Sequence, residues 1–310
     1  MLKNKRGIFF TTLVIVIFSL FILTYTFYSQ TQERRTIQKR ISTMNGLVFS
    51  IEENIPRQLK ATGFRIIFLF EKRIAETGSY ISNLNGTFNE MFFNGTLYGQ
   101  TNPEIQALMQ GATLPGIISA IQEKANKINV EVNITNPSIS ITQEDPWRVK
   151  IMLNAGIIIN DKNNLASWNK TGDIIAYVDV EGFEDPIYIV NTNGLVTNKI
   201  IKTPYSTFVS GSDISNLLAH SQNSYYIAST SAPSFLDRLE GINSPDANGI
   251  ESLVNLQKLS SQGIAVEDKS VVDYIYFSEE DSACNVVPAG MPAWFKLDNA
   301  HLLTYQVSCA

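Results

Sequence analysis

The chain has 310 residues and a net charge of −5, with 44% hydrophobic and only 17% charged residues. That excludes a wholly disordered polymer and leaves ample apolar material for a core. Seven Lys/Arg and one acid fall in residues 1–40 while the remainder is acidic, a distribution that argues against a nucleic-acid partner.

With so few charges, the polar surface must be built largely from 27 Asn, 27 Ser and 22 Thr. This composition suits an extracytoplasmic surface. From Gly7 to Gln32 the chain carries 26 residues without a charge. As a helix that run spans roughly 39 Å, more than the roughly 30 Å hydrocarbon core of a bilayer. A single helix is the form in which the backbone satisfies itself in lipid, and Tyr25 and Tyr28 near its far end suit an aromatic belt. Lys3, Lys5 and Arg6 precede the run, and Arg34, Arg35, Lys39 and Arg40 follow it, so the positive-inside tally does not fix orientation. Residues 1–7 are read as a cytoplasmic n-region or leader, residues 8–32 as the transmembrane helix, and the C-terminal bulk is expected outside the cytoplasm. The apolar run exceeds a cleaved signal's h-region, and no small-x-small site follows Tyr28.

Lys5-Arg6-Gly7-Ile8 sets two basic residues and a glycine directly before the hydrophobic run. This resembles the class III signal of archaeal type IV pilins, in which a prepilin peptidase cuts after the glycine. The resemblance covers about thirty residues and implies processing between Gly7 and Ile8, with the apolar helix retained as anchor and filament core. Thr12 stands at the fifth mature position, where bacterial pilins carry Glu, so the resemblance is to the archaeal form.

Beyond Glu33, the residues Ile37, Ile41, Met44, Val48, Ile51 and Ile55 form a heptad seam, predicting a stalk helix over 33–78 with a kink or restart at Pro56. The basic residues at its start could meet anionic lipid. Residues 79–112 read as a loop. Leu114, Ile117, Ile118, Ile121, Ala125 and Ile128 predict an amphipathic helix over 114–128. Alternating strands follow through Val130–Ile141, with a turn at Asn136-Pro137, then Trp147–Leu153 and Ile174–Val180. The first unit, an α+β domain with an antiparallel sheet, is expected over 79–205. A mixed α/β unit over 206–310 is expected to hold helices at Ile214–His220, Phe235–Glu240 and Ile250–Leu259, and strands at Val271–Phe277 and Trp294–Leu297.

The chemistry is sparse. Cys284 and Cys309 would pair in an oxidising compartment, closing a loop of about 25 residues and stabilising the fold by roughly 3 kcal/mol. Sequons begin at Asn85, Asn94, Asn133 and Asn169, a number equal to the about four that composition alone supplies. Of the two histidines, His220 and His301, neither sits in a metal or nucleophile motif. Ser210-Gly211-Ser212-Asp213 with His220 holds triad residue types, but a cap at Ser212 or Asp213 fits the spacing better. Asp179, Glu181, Glu184 and Asp185 could hold Ca²⁺ weakly or form a solvated strand end, and Glu279-Glu280-Asp281 reads as an acidic loop. No phosphate-cradling loop or dinucleotide fingerprint occurs, so neither catalysis nor a cofactor is expected.

The sequence therefore predicts an α+β protein: a transmembrane helix continuing into a stalk helix, then an antiparallel-sheet ectodomain and a mixed C-terminal unit. The expected role is that of a pilin-like or minor pilin subunit at the cell surface, held in the bilayer and meeting pilin or envelope partners through the N-terminal helix. The alternative is a signal-anchored ectodomain that binds a ligand or glycan.

Overall fold

The structure, a computed structural model, describes residues 5–278, 285–287 and 290–307. The fold is α+β. Its first element, α1 (Lys5–Thr77), is one helix of 73 residues with Pro56 inside it. The break expected at Pro56 does not interrupt it. Proline removes one backbone donor, and the flanking Ile55 and Leu59, both buried, hold the adjoining turns by packing. The heptad seam is used internally: Met44, Val48, Ile51 and Ile55 are all buried within the chain, so it is not a free coiled-coil face.

Residues 79–112 are not the expected loop. They form α2 (Leu84–Asn94) and α3 (Pro103–Met109). The overlooked signal is Leu84, Phe88, Met91 and Phe92, which lie at helical spacing and are buried. The Asn83 side chain accepts from Gly86 N–H, and left-handed Gly95 ends the helix. Next come α4 (Leu114–Asn126), β1 (Val130–Asp145), β2 (Arg148–Asp161) and β3 (Ser167–Asp179), and the strands form a sheet in the order β1-β2-β3. No turn interrupts β1 at Asn136-Pro137. Asn136 takes a φ of 48°, a conformation Asn tolerates, and the strand continues.

After the sheet come α5 (Pro186–Asn191), α6 (Ser215–Asn223), β4 (Tyr226–Ala228), α7 (Phe235–Glu240), β5 (Ile250–Ser252), α8 (Leu256–Ser261), α9 (Asp273–Tyr276), β6 (Asn285–Val286) and β7 (Leu297–Asp298). Helix α7 matches its predicted bounds, with a capping box between Ser234 and Asp237 and Gly241 as its stop. Two expectations fail nearby. Residues 250–259 divide into β5 and α8, because Ile250–Ser252 pairs antiparallel with β4. Residues 271–277 give α9 instead of a strand, since the Asp273 carboxylate turns inward to a buried ion pair and accepts from Tyr274 N–H. Tertiary contact overrides the β-propensity of the Val and Tyr run here. Of the strand expected at 294–297, only Leu297 is in β7, which pairs with β6.

The chain divides into two compact units, but not near residue 205. One comprises Met1–Asn54, Ile118–Asn136 and Gly156–Thr171. In it, Arg40 pairs with Asp161 and donates to the Asn129 carbonyl, and Lys170 pairs with Glu52. The other comprises Ile55–Ile117, Pro137–Ala155 and Gly172–Ala310. Segments 172–205 and 206–310 share one core there, in which Tyr188 and Val196 pack with Leu217, Leu253, Val271 and Phe295. In the same unit α1 lies close to the sheet at Gly63, opposite Ile151 and Val178.

Candidate functional site

The feature that most distinguishes this chain from a soluble globule is the N-terminal part of α1. Among the described residues, it belongs to the one helix long and apolar enough to cross a bilayer. Phe9, Phe18 and Phe21 are 65–69% exposed, and every large apolar side chain from Phe9 to Tyr28 faces outward. A continuous exposed apolar surface of this extent is unstable in water and calls for lipid or another apolar partner. Its few hydroxyls are suited to that environment. Ser19 donates to the Ile15 carbonyl at 2.8 Å, Thr26 to Ile22 at 2.8 Å and Thr31 to Phe27 at 2.7 Å. Each is satisfied within the helix and presents no orphan donor to lipid. At the polar end, Gln32 Nε2 donates to the Tyr28 hydroxyl at 3.0 Å.

Gly7 and Ile8 lie in the first turns of α1. Of the basic residues after the span, Arg40 is engaged within the protein. Burial opposes ionisation of its partner Asp161, but hydrogen bonds from Arg40 and Leu165 outweigh it and hold the carboxyl below its usual range. Arg40 is therefore committed to the fold.

The sequons occupy exposed positions: Asn85 and Asn94 on α2, Asn133 on β1 and Asn169 on β3. Asn85 is also used by the fold, because its carbonyl accepts from Ile141 N–H at 3.1 Å. Cys284 and Cys309, and Glu279-Glu280-Asp281, lie outside the described residues.

The triad residue types are not assembled. His220 is buried, with Nδ1 3.1 Å from Thr203 Oγ1, and burial pushes its pKa down to about 3. Asp213 instead accepts from Ser215 N–H at 2.9 Å at the start of α6. The acidic run is likewise dispersed. Asp179 pairs with Lys60 at 2.9 Å, Glu181 faces Lys202 N–H, and Asp185 is fully buried on Arg238. Among the described residues, no group of three or more His, Cys, Asp or Glu is placed to hold a metal ion.

Sequence reasoning missed a buried charge network. Arg238 on α7 donates Nη1 to Asp185 Oδ2 at 2.5 Å and to Asp273 Oδ2 at 2.9 Å, while Nη2 reaches Asp273 Oδ1 at 3.2 Å. Burial opposes the charge on Arg238, but the two carboxylates overcome it and raise its pKa above the ordinary value. Tyr226 donates to Asp185 Oδ2 at 2.7 Å, and Ser252 donates to Asp273 Oδ2 from both N–H and hydroxyl. Elsewhere in this unit, His301 Nδ1 lies 2.8 Å from Asp298 Oδ1, and Nε2 lies 3.4 Å from Glu251 Oε2 and 3.0 Å from the Tyr274 hydroxyl. Burial disfavours the charged imidazole, but Asp298 and Glu251 raise its pKa to about 10. The two carboxylates on Arg238 lie 53 and 35 positions from it and follow no motif, so no spacing could reveal them. Closed to solvent, the Arg238 cluster organises the fold and offers no substrate a way in.

No protein-family model matches the chain, and comparison with curated proteins and with solved structures gives no significant match either.

Proposed function

We propose that this protein is a membrane-anchored, pilin-like structural subunit of the cell surface. One observation carries the reading: α1 is a single helix that exposes every large apolar side chain from Phe9 to Tyr28, while in its distal part Met44, Val48, Ile51 and Ile55 are buried within the chain. A helix of this kind can be held by lipid first and can later exchange lipid for the same segment of other copies, because both environments accept the same apolar surface. The Lys5-Arg6-Gly7-Ile8 sequence supports maturation by cleavage after Gly7. On this reading the bilayer and other copies of the chain, or related envelope subunits, are the partners, and the C-terminal bulk stands outside the cytoplasm.

The test is the N-terminal peptide of the mature protein from native membranes. A mature N-terminus at Ile8, lost when Gly7 is replaced by a bulky residue, is the expected result. A chain that keeps Met1 and is indifferent to Gly7→Leu is instead a signal-anchored ectodomain.

A further inference from the structure

We propose that the cleft shared by Arg73 and Tyr98 binds an acidic sugar, with the carboxylate of a uronic-acid-type pyranose on the guanidinium and the ring against the tyrosine. Two adjoining cavities meet here. One, of about 310 Å³, is lined by Arg73, Thr77, Ser79, Tyr80, Ser82 and Tyr98. The other, of about 170 Å³, shares Arg73 and Tyr98 and adds Gln100, Thr101 and Asn102 among its polar walls. The larger falls within the size range of small-molecule sites.

The charge pattern selects an anion. Lys72, the neighbour of Arg73 on α1, is paired with both Glu104 and Glu76, the acids of the smaller cavity, and offsets one of their two charges, while neither acid pairs with Arg73. Among the described residues, the Arg73 guanidinium has no ion pair or side-chain hydrogen bond, and it is the only formal charge lining the larger cavity. A planar guanidinium is suited to a carboxylate, which it can bind through two parallel hydrogen bonds.

Tyr98 selects a ring. Leu97 and Gln100 exchange backbone hydrogen bonds at 2.8 and 3.0 Å, and between them Tyr98 and Gly99 have φ of 52° and 71°. Positive φ at both corner positions is the signature of a type I′ turn, which favours Asn-Gly. A bulky tyrosine there is a conformational outlier, of the kind that concentrates at ligand sites. The turn is braced by Glu90 Oε1, which accepts from Gly99 N–H and from Thr96 Oγ1, both at 2.6 Å. Tyr98 is nonetheless 40% exposed. Tyr80, also in the lining, is set against Gly241, where an added Cβ would come within 2.4 Å of its ring. Hydroxyls of Thr77, Ser79 and Ser82 share the lining; each donates within the chain and keeps acceptor capacity for a polyhydroxylated ligand.

The test is calorimetry on the full chain in zwitterionic nanodiscs, with trigalacturonate, neutral maltotriose and inorganic phosphate as probes. Saturable binding of trigalacturonate is expected, weakened about tenfold or more by Arg73→Gln and severalfold by Tyr98→Leu. Arg73 is exposed, so its variant should keep the wild-type melting temperature. The proposal is overturned by any of three results: no saturation with trigalacturonate up to about 10 mM, equal affinity in Arg73→Gln, or equal affinity for maltotriose. Phosphate binding as tight as trigalacturonate would also overturn it, by reducing the cleft to a bare anion site.

Discussion

Arg238 and Asp185, 53 positions apart in sequence, meet through a 2.5 Å hydrogen-bonded ion pair in which neither side chain is exposed to solvent. The contact joins α7 to the start of α5, where Asp185 also accepts from Ile187 N–H at 2.9 Å. A single carboxylate thus caps one helix and shares with Asp273 the buried cation of another.

Removing Arg238 leaves Asp185 and Asp273 buried without their cation, a loss that typically costs about 3–5 kcal/mol, whereas removing Asp185 leaves Arg238 still paired with Asp273. Arg238→Ala is expected to destabilise the protein by about that amount and Asp185→Ala by less, each measured as a shift in urea midpoint. The double variant should lose less than the sum, because the second substitution removes one of the two carboxylates orphaned by Arg238→Ala, Asp273 being the other. Additive losses would mean that the pair does not act as a unit.

His301 should make stability fall on the alkaline side. Its folded pKa of about 10 lies above the ordinary 6.5, so the folded state keeps a proton that the unfolded chain releases. The stabilisation is therefore complete below about pH 6.5 and fades as pH rises to about 10. His220 acts in the opposite direction: with a folded pKa of about 3, it leaves the unfolded chain to bind the extra proton, so stability falls as pH drops from 6.5 towards 3. Thermal melting across this range should show His301→Gln with lower stability and a flatter alkaline limb. An unchanged slope above pH 7 would remove the ion pair from the explanation.

How far the sequence discloses this structure depends on the range of the interactions involved. The apolar run after Gly7 and the capping of α7 by Ser234 and Gly241 are local, and periodicity or cap chemistry reveals them. The alternation that marks the sheet is local as well, although it could not show that Asn136 continues β1. Asp273 behaves differently, because its strand-like neighbours form a helix where its carboxylate meets Arg238, 35 residues away. The Arg73 cleft escapes for the same reason. Arg73 and Tyr98 are 25 positions apart, and the absence of a partner for a guanidinium is a property of three-dimensional placement.

Glu71 gives a second pH dependence with a different origin. Burial on α1, followed by repulsion from Glu184, raises its carboxyl pKa to about 9 from 4.5. The folded protein therefore holds Glu71 protonated at neutral pH while the unfolded chain does not, and this contribution to stability declines from pH 4.5 to about 9. Glu71 Oε1 and Glu184 Oε2 are both buried without a hydrogen-bond partner, so ionising Glu71 would add a charge that a backbone hydrogen bond from Glu184 only partly offsets. Glu71→Gln, a mimic of the neutral acid, is expected to raise stability at pH 7 by roughly 1–3 kcal/mol and to remove this part of the slope. Glu71→Gln as stable as wild type at both pH 5 and pH 8 would show that Glu71 is ionised in the fold.

The approach of α1 to the sheet at Gly63 can be tested one atom at a time. A Cβ on Gly63 would stand 1.8 Å from Ile151 Cδ1 and 3.2 Å from Val178 Cγ2, and Ile151 is completely buried. Glycine inside a helix costs about 1 kcal/mol relative to alanine, so propensity alone predicts that Gly63→Ala stabilises. Overpacking a filled core costs about 1–3 kcal/mol, and here the new methyl falls on an atom that is already packed. Gly63→Ala is therefore expected to be destabilising on balance. Ile151→Val deletes Cδ1, the very atom in the way, and by itself costs about 0.5–1.5 kcal/mol. Combined, the two substitutions exchange a methyl on the sheet for a methyl on the helix. The double variant should be more stable than the sum of the single losses by about 1 kcal/mol or more, measured by denaturant unfolding. If Gly63→Ala is stabilising alone and the pair is additive, helix and sheet are farther apart at this point than the structure places them.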